Sequence, residues 1–332
     1  MTGLMRAIVI DDFGGPDALH MAEIERPLPG PGEVLIEIAY AAANPADWKA
    51  REGWLSRYFD YRFPFVLGFD AAGRIAALGE GVEGLSVGDR VVAASNQGMG
   101  LNGSYAEFTL AAAERCIPLP ASLSMARAAA LPTAGMTALE ALVDVGNIAP
   151  DQYVLVNGGA GGTGGFAVAL AARAGARVIA TCSAHNADYV RALGAERIID
   201  YRHENVGVAV HSWAPGGLDL VVDAVGQGSI LGAIDWVRPG GTIAAIGTLI
   251  ADETPHDADL AAARGVRVVP TVSSFANQGH QLRALVAALA EGAFDAVQIE
   301  IMPLAEIAEA HRRIEAGHVR GKLVLEINAA LD

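Results

Sequence analysis

The most constraining stretch of the chain is short. Tyr153-Val154-Leu155-Val156-Asn157 is followed at once by Gly158-Gly159-Ala160-Gly161-Gly162-Thr163-Gly164-Gly165, and then by the Ala-rich run 166–174. An apolar run of five residues suits a buried strand, and an Ala-rich run suits a helix. Between them Gly159, Gly161 and Gly164 fit the spacing G-x-G-x-x-G. Alone that spacing is weak. Directly after a strand and at the mouth of a helix it is the dinucleotide fingerprint. Glycine permits the tight turn and lets the backbone approach a pyrophosphate, which the helix N-terminus then meets with unpaired N–H groups. The bland alternative is a glycine turn with no ligand, and the strand–helix series around it argues against that.

The series fills the middle of the chain. Strands are expected at Tyr153–Asn157, 177–181, 197–199, 218–224, 242–246 and 266–272, with helices at 164–175 and 186–194. Such alternation indicates an α/β fold with a doubly wound parallel sheet. The first third reads differently. Short strands at 6–10, 34–39, 71–78 and Arg90–Ala94 are separated by Gly30-Pro31-Gly32 and by Gly79, Gly81, Gly84 and Gly88-Asp89. That texture predicts a small β-barrel-type unit. It changes near 118–122, after which a helix is expected over 124–145, broken around Pro132 to Gly135. The end predicts a helix at 278–291, a strand at 297–301, a helix at 304–316 and a strand at 322–327.

A length of 332 residues predicts about two domains. With 52% hydrophobic and 18% charged residues, disorder is disfavoured. The formal net charge of −15 argues against nucleic acid or an anionic membrane as partner. Two cysteines, Cys116 and Cys182, support neither a disulfide framework nor a multi-cysteine zinc site, and suit reduced thiols in the cytoplasm. The first residues lack the pattern of a signal peptide, and no apolar run approaches the ~18 residues of a membrane span.

The second strand of the series decides between the two nicotinamide cofactors. An NAD site places Asp or Glu there for the ribose 2′-hydroxyl. Here Thr181-Cys182-Ser183-Ala184-His185-Asn186 holds no carboxylate before Asp188. Ser183, His185 and Asn186 are donors suited to a 2′-phosphate, so NADPH is expected. Arg202, beyond Asp200-Tyr201, is a further source of charge. For His185 a solvated loop position is nearly as good a reading.

Several segments together carry a resemblance. Ala43-Asn44-Pro45-Ala46-Asp47, Pro64 to Gly73 with Gly68-Phe69-Asp70, Val87-Gly88-Asp89-Arg90-Val91, Gly103-Ser104-Tyr105-Ala106-Glu107, the glycine loop, Asp200-Tyr201 and Gly321-Lys322-Leu323-Val324-Leu325 follow in order along nearly the whole chain. The sequence resembles the medium-chain dehydrogenase/reductase superfamily, in its zinc-independent, zeta-crystallin-like NADPH:quinone oxidoreductase branch. The resemblance implies a GroES-like catalytic domain from both chain ends (1–122 and 276–332) around a Rossmann dinucleotide-binding domain (123–275). NADPH would lie in the interdomain cleft, and the protein would be a homodimer. It implies cofactor contacts at Asn44, Thr133, Gly158, Gly159, Gly161, Gly162, Thr163, Gly164, Ser183, His185, Asn186, Tyr201, Gly226, Gly247 and Lys322. Zinc-holding relatives place a cysteine near Asn44 and a histidine where Phe69 stands, so no metal is expected.

Without a Lewis acid, hydride addition to an electrophilic quinone or α,β-unsaturated carbonyl is easier than alcohol oxidation. Asn44, Lys49 and Tyr58 are the candidate catalytic donors. Asn44 is the best placed by motif, whereas Tyr58 reads better as a packing residue with its hydroxyl at the surface. Asp47 reads as a helix-end or turn residue as well. Two alternatives stand beside this reading. One is a non-catalytic NADPH-binding, crystallin-like protein. The other is an enoyl-thioester reductase, weakened by Leu55 at the position of the donor tyrosine in such enzymes.

Overall fold

The structure is a computed structural model and describes residues 3–56, 58, 60–99, 103–246, 256–273, 276–317 and 319–332. The chain forms two compact units. One comprises Met1–Thr133, Phe275–Glu291 and Ile299–Asp332; the other comprises Ala134–Ser274 and Gly292–Gln298.

The first unit begins with strands β1 (Leu4–Ile10), β2 (His20–Glu25), β3 (Glu33–Ala43), β4 (Phe65–Val66), β5 (Asp70–Leu78), β6 (Arg90–Ala94), β7 (Phe108–Ala112) and β8 (Cys116–Pro118). In the second unit run β9 (Tyr153–Asn157), β10 (Arg177–Cys182), β11 (Arg197–Asp200), β12 (Leu218–Asp223), β13 (Val237–Ile246) and β14 (Arg267–Thr271). The chain then returns to the first unit through β15 (Ile299–Pro303) and β16 (Lys322–Glu326).

In the first unit one sheet has the order β2-β1-β4 and a larger one β15-β16-β3-β5-β6-β8, with β7 also paired to β3. The long β3 serves two partners: Glu33–Glu37 pair with β7 while the whole strand lines β5. Its register brings Ala42 opposite Asp70, and β16 brings Leu323 opposite Ala43. Val34, Ile36, Ile38, Ala71, Ile75, Val91 and Ala93 pack into one buried cluster. Burying such side chains stabilises by about 1.5–3 kcal/mol each for the larger ones.

The second unit is a six-stranded parallel sheet of order β11-β10-β9-β12-β13-β14. The order reverses between β9 and β12, and a doubly wound sheet has its ligand crevice at such a switch point. Helix α4 (Gly162–Arg173) follows β9 directly.

Differences from the sequence reading have physical causes. The expected helix over 124–145 is two helices, Met125–Ala129 and Pro132–Leu139, the second continuing as a π-turn to Val145. Pro132 starts the second helix, where its missing N–H has no partner to lose, and Gly135 lies inside it. The first of the two packs on β3, β5 and β6, so the first unit runs past the texture change at 118–122. Strands β2, β7 and β8 escaped the sequence reading; β2 alternates half-buried and exposed residues and β8 has only three. Among the described residues no helix is long and apolar enough to cross a membrane.

Candidate active site

The glycine loop is built by exclusion of side chains. A Cβ on Gly164 would stand 2.1 Å from the Gly158 carbonyl oxygen, and one on Gly159 would stand 2.9 Å from Ala180 Cβ. Gly158 itself has φ +80°, the left-handed region that favours glycine. Gly161 differs: a Cβ there meets nothing closer than 3.5 Å. Gly161 is the N-cap of α4 and no side chain caps that end. The first N–H groups of the helix, at Gly162, Thr163 and Gly164, therefore lack both an intrahelical acceptor and a cap. A pyrophosphate fits this cradle, since it needs close backbone approach at Gly161 and free N–H donors behind it.

A polar floor holds the loop at the switch point. The Gly158 N–H donates to Thr181 Oγ1 (2.9 Å), whose hydroxyl donates to Asn157 Oδ1 (2.7 Å). Asn157 Nδ2 donates to Asp223 Oδ1 (2.8 Å) and Ser229 Oγ (2.7 Å). Asp223 also accepts the Gly226 N–H (2.9 Å), which fixes the turn after β12. Burial pushes the Asp223 carboxyl up, but the His256 imidazole at 3.8 Å and the N–H donors of Gly226, Asn157 and Val225 outweigh it and hold the pKa below the usual range. Asn157, Thr181, Asp223 and Ser229 were not read from the sequence. The signal available was a polar residue at the carboxyl end of each apolar strand.

At the end of β10, Ser183 is buried and lies 3.5 Å from His185 Nε2 and 3.4 Å from Asn186 Nδ2, while His185 is exposed. The neighbouring β11 ends at Asp200, in register with Cys182. Just past it the Arg202 guanidinium covers the Tyr201 ring at 5.7 Å. The expected contacts Ser183, His185, Asn186 and Tyr201 thus collect at two adjacent strand ends. Gly247 lies outside the described residues.

The first unit gathers a second set. Asn44 is the N-cap of helix α1 (Pro45–Arg51), and its N–H donates to Asp47 Oδ2 (2.7 Å). This settles Asp47 as a residue of the helix's first turn. Asn44 Nδ2 donates to Asp70 Oδ2 (2.9 Å) and Ala42 O (3.2 Å), and its Oδ1 accepts from Lys322 Nζ. Asp70 Oδ1 accepts both the N–H (2.9 Å) and the hydroxyl (2.6 Å) of Thr133. Asp70 therefore ties Asn44 to Thr133. Lys322, expected as a cofactor contact, is 3% exposed and bonded to Ala43 O and Asn44. Its ammonium supports Asn44 from inside the unit. Register puts it there: β16 pairs with the very end of β3.

Lys49 is buried, its ammonium 5.6 Å from the Trp48 ring centroid. Tyr58 is 69% exposed, and the structure does not bring it to Asn44, whose hydrogen bonds among the described residues go to Ala42, Asp47, Asp70 and Lys322. The Tyr61 hydroxyl donates to Ala50 O (3.1 Å).

Behind α1 lies a buried chain of polar groups that the sequence concealed. Arg51 Nη1 donates to His311 Nδ1 (3.0 Å), His311 Nε2 faces the Tyr105 hydroxyl (3.3 Å), and Tyr105 faces Asp47. Burial, and then Arg51, lowers the His311 pKa to about 3. Burial and then Asp70 raise that of Asp47 to about 7, against Tyr105, the Asn44 N–H and Lys322. Arg51 and His311 are 260 positions apart, and no local pattern joins them.

Comparison with known proteins agrees with this architecture. The profile described as "Alcohol dehydrogenase GroES-like domain" matches residues 30–121, and that described as "Zinc-binding dehydrogenase" matches 193–325. Despite the second description, the positions where zinc-holding relatives carry ligands hold Asn44 and Phe69. The chloroplastic quinone-oxidoreductase QR1 of Triphysaria versicolor is 30% identical over 97% of this chain and 98% of its own. A 2-methylene-furan-3-one reductase of Solanum lycopersicum is 33% identical over 97% of this chain and 79% of its own. Among solved structures, the quinone oxidoreductase of Coxiella burnetii superposes with a TM-score of 0.87 at 31% identity, covering 98% of this chain and all of that one. A mycobacterial protein solved in complex with NADPH gives 0.84 at 30% identity, covering 97% and 100%. On these likenesses, the glycine cradle and the replaced ligand positions, the chain belongs to the zinc-independent quinone oxidoreductase branch of the medium-chain dehydrogenase/reductase superfamily.

Proposed function

We propose that this protein is an NADPH-dependent reductase that delivers hydride to a quinone or an α,β-unsaturated carbonyl. The observation that carries the reading is the uncapped, glycine-lined cradle at the switch point of the second unit; within the first unit a neutral, fully hydrogen-bonded Asn44 stands where zinc-holding relatives carry a ligand. When bound, the cofactor supplies the hydride. The residues of this chain do the rest. Gly162, Thr163 and Gly164 receive the pyrophosphate through backbone N–H groups, and Gly161 leaves room for its approach. Ser183 and His185 offer donors to the 2′-phosphate, and Arg202 offers charge one strand away. Asp70 holds Asn44 and Thr133 in one geometry for the nicotinamide end.

Asn44 does not titrate and Phe69 is apolar, so neither takes a proton from an alcohol. An enone or quinone needs no such deprotonation. It needs orientation, which the fixed Asn44 gives, and a donor for the developing oxygen charge, which backbone N–H groups or Lys49 supply, since the N–H groups of Asn44 are held by Asp47, Ala42 and Asp70. Names among the relatives support both acceptor types: quinone oxidoreductase, and a reductase of a methylene-furanone. The test is steady-state NADPH oxidation with a panel of quinones and enones, run beside NADP-dependent oxidation of simple secondary alcohols. Turnover is expected with the former. Fast alcohol oxidation with no quinone or enone turnover overturns the reading. A homodimer is the arrangement the family resemblance supports, and light scattering of the purified protein reads it directly.

A further inference from the structure

Two buried carboxyls and the buried Lys322 ammonium gather at Asn44, while the Lys49 ammonium, also buried, lies against the Trp48 ring. Asp47, Asp70 and Lys322 are 0%, 0% and 3% exposed. Nearby Arg51 is already matched by Glu52 (2.5 Å) and Glu315 (2.7 Å), both partly exposed. One ammonium neutralises one carboxylate, so the set carries either a buried net charge or a proton. A buried uncompensated charge is costly, and a shared proton is the usual resolution.

Geometry says which oxygen takes the proton. Asp70 receives Thr133 N–H, Thr133 O–H and Asn44 Nδ2–H, with Lys322 Nζ 3.7 Å away. Every one is a donor, which suits a carboxylate. Asp47 Oδ2 receives the Asn44 N–H, while Asp47 Oδ1 has no hydrogen-bond partner. The vacant acceptor is where a proton is tolerated.

Behind Asp47 the donors are oriented. Arginine only donates, so His311 Nδ1 must accept and its proton sits on Nε2. That N–H points at the Tyr105 oxygen, which turns the phenol proton away from His311 toward Asp47, with no hydrogen bond to Asp47 Oδ1 formed while that oxygen is vacant. The chain Arg51–His311–Tyr105 therefore stands ready to stabilise Asp47 after the proton leaves. The groups that face Asp47 are Asp70 from β5, Lys322 from β16, Tyr105 from the segment before β7, and His311 from the helix Ile307–Glu315, with Arg51 behind it on α1.

We propose that Asp47 holds the proton of this buried set, and that its loss to solvent shifts the site's preference from the reduced toward the oxidised nicotinamide cofactor. This rests on the reading that Asn44 and Thr133 meet the nicotinamide. The ring is neutral when reduced and positive when oxidised. With Asp47 protonated, Asp70 and Lys322 cancel. With Asp47 ionised, the set carries one negative charge, which attracts the oxidised ring and leaves the reduced ring nearly unaffected. The 2′-phosphate is common to both forms, so its own titration cancels in the ratio of affinities.

Two measurements test it. Infrared difference titration of the nucleotide-free protein should show a protonated-carboxyl band that bleaches with a midpoint of about 7. Asp47→Asn, which keeps an acceptor for the Asn44 N–H, should lack that band. Calorimetry with NADP+ and NADPH at about pH 6 and about pH 8.5 should show the NADP+/NADPH affinity ratio rising roughly three- to tenfold in the native protein. In Asp47→Asn the ratio should stay flat. In Tyr105→Phe the infrared midpoint should move up, since a donor to the carboxylate is lost. The same band or the same pH-dependent ratio in Asp47→Asn overturns the proposal. A normal band with no binding of either nucleotide at any pH overturns instead the cofactor reading on which the nucleotide half depends.

Discussion

At the scale of single residues, the site is set by what each polar group already holds. Asn44 makes four hydrogen bonds within the first unit, through its N–H, both amide positions and Lys322. A side chain so fully engaged orients its surroundings; it has little freedom to swing. Ser183 is the opposite case. It is buried at a strand end with two long contacts, 3.4 and 3.5 Å, so its hydroxyl is weakly engaged. That leaves it available to an incoming phosphate oxygen. A carboxylate placed there would face the 2′-phosphate at short range and repel it. Ser183→Asp should therefore weaken NADPH binding by about tenfold or more, roughly 1.4 kcal/mol, and leave NADH binding within about twofold. Fluorescence titration with both nucleotides reads it. Equal weakening of the two would place the 2′-phosphate elsewhere.

At the scale of elements, the β9–loop–α4 unit separates folding from binding residue by residue. Gly164 is excluded from any larger side chain by the Gly158 carbonyl at 2.1 Å, whereas Gly161 faces open space in an extended conformation any residue adopts. Gly164→Ala should thus destabilise the second unit by about 1–3 kcal/mol, as overpacking does. Gly161→Ala should leave stability within about 0.5 kcal/mol yet weaken NADPH binding about tenfold, because its methyl occupies the approach to the pyrophosphate. Denaturation midpoints and nucleotide titrations on the pair check this; the reverse pattern would mean the cradle is misassigned. This unit was also the most legible in the sequence. Tyr153–Asn157 was read to the residue, because a strand buried on both faces is continuously apolar and glycine spacing is local. The parallel sheet followed from alternation alone. What stayed hidden was long-range. The bond from Lys322 to Asn44 is unseen until β16 is found pairing with the end of β3, and Asp70 reads as part of a motif until Thr133 is seen upon it. Helix α1 was missed because its seven residues are too few to show a period.

At the scale of the whole molecule, buried charge writes itself into the pH dependence of folding. His311 is held neutral in the folded chain, with its pKa lowered from 6.5 to about 3. Between those values the unfolded chain holds a proton that the folded one lacks. His311 therefore contributes stability that is present above about 6.5 and is lost as pH falls. Asp47 is the reverse, raised from 3.8 to about 7. Its contribution is present below 3.8 and is lost as pH rises. Each group has a slope of about 1.4 kcal/mol per pH unit inside its window, with opposite signs. The windows overlap from 3.8 to 6.5, where the two slopes cancel. Removing one group should expose the other. His311→Asn, which still accepts from Arg51, should make stability fall with pH by about 1.4 kcal/mol per unit relative to the native protein; Asp47→Asn should make it rise by as much. The two buried cysteines give a readout for each unit, since Cys116 lies in the first and Cys182 in the second. Labelling with a dipyridyl disulfide, which reacts in acid, during denaturant titrations at about pH 4, 5 and 6 follows each unit by the mass of its own peptide. The Cys116 transition should carry the opposed slopes and the Cys182 transition should not. Parallel slopes at Cys116 in all three proteins would mean that neither group changes its proton count on folding.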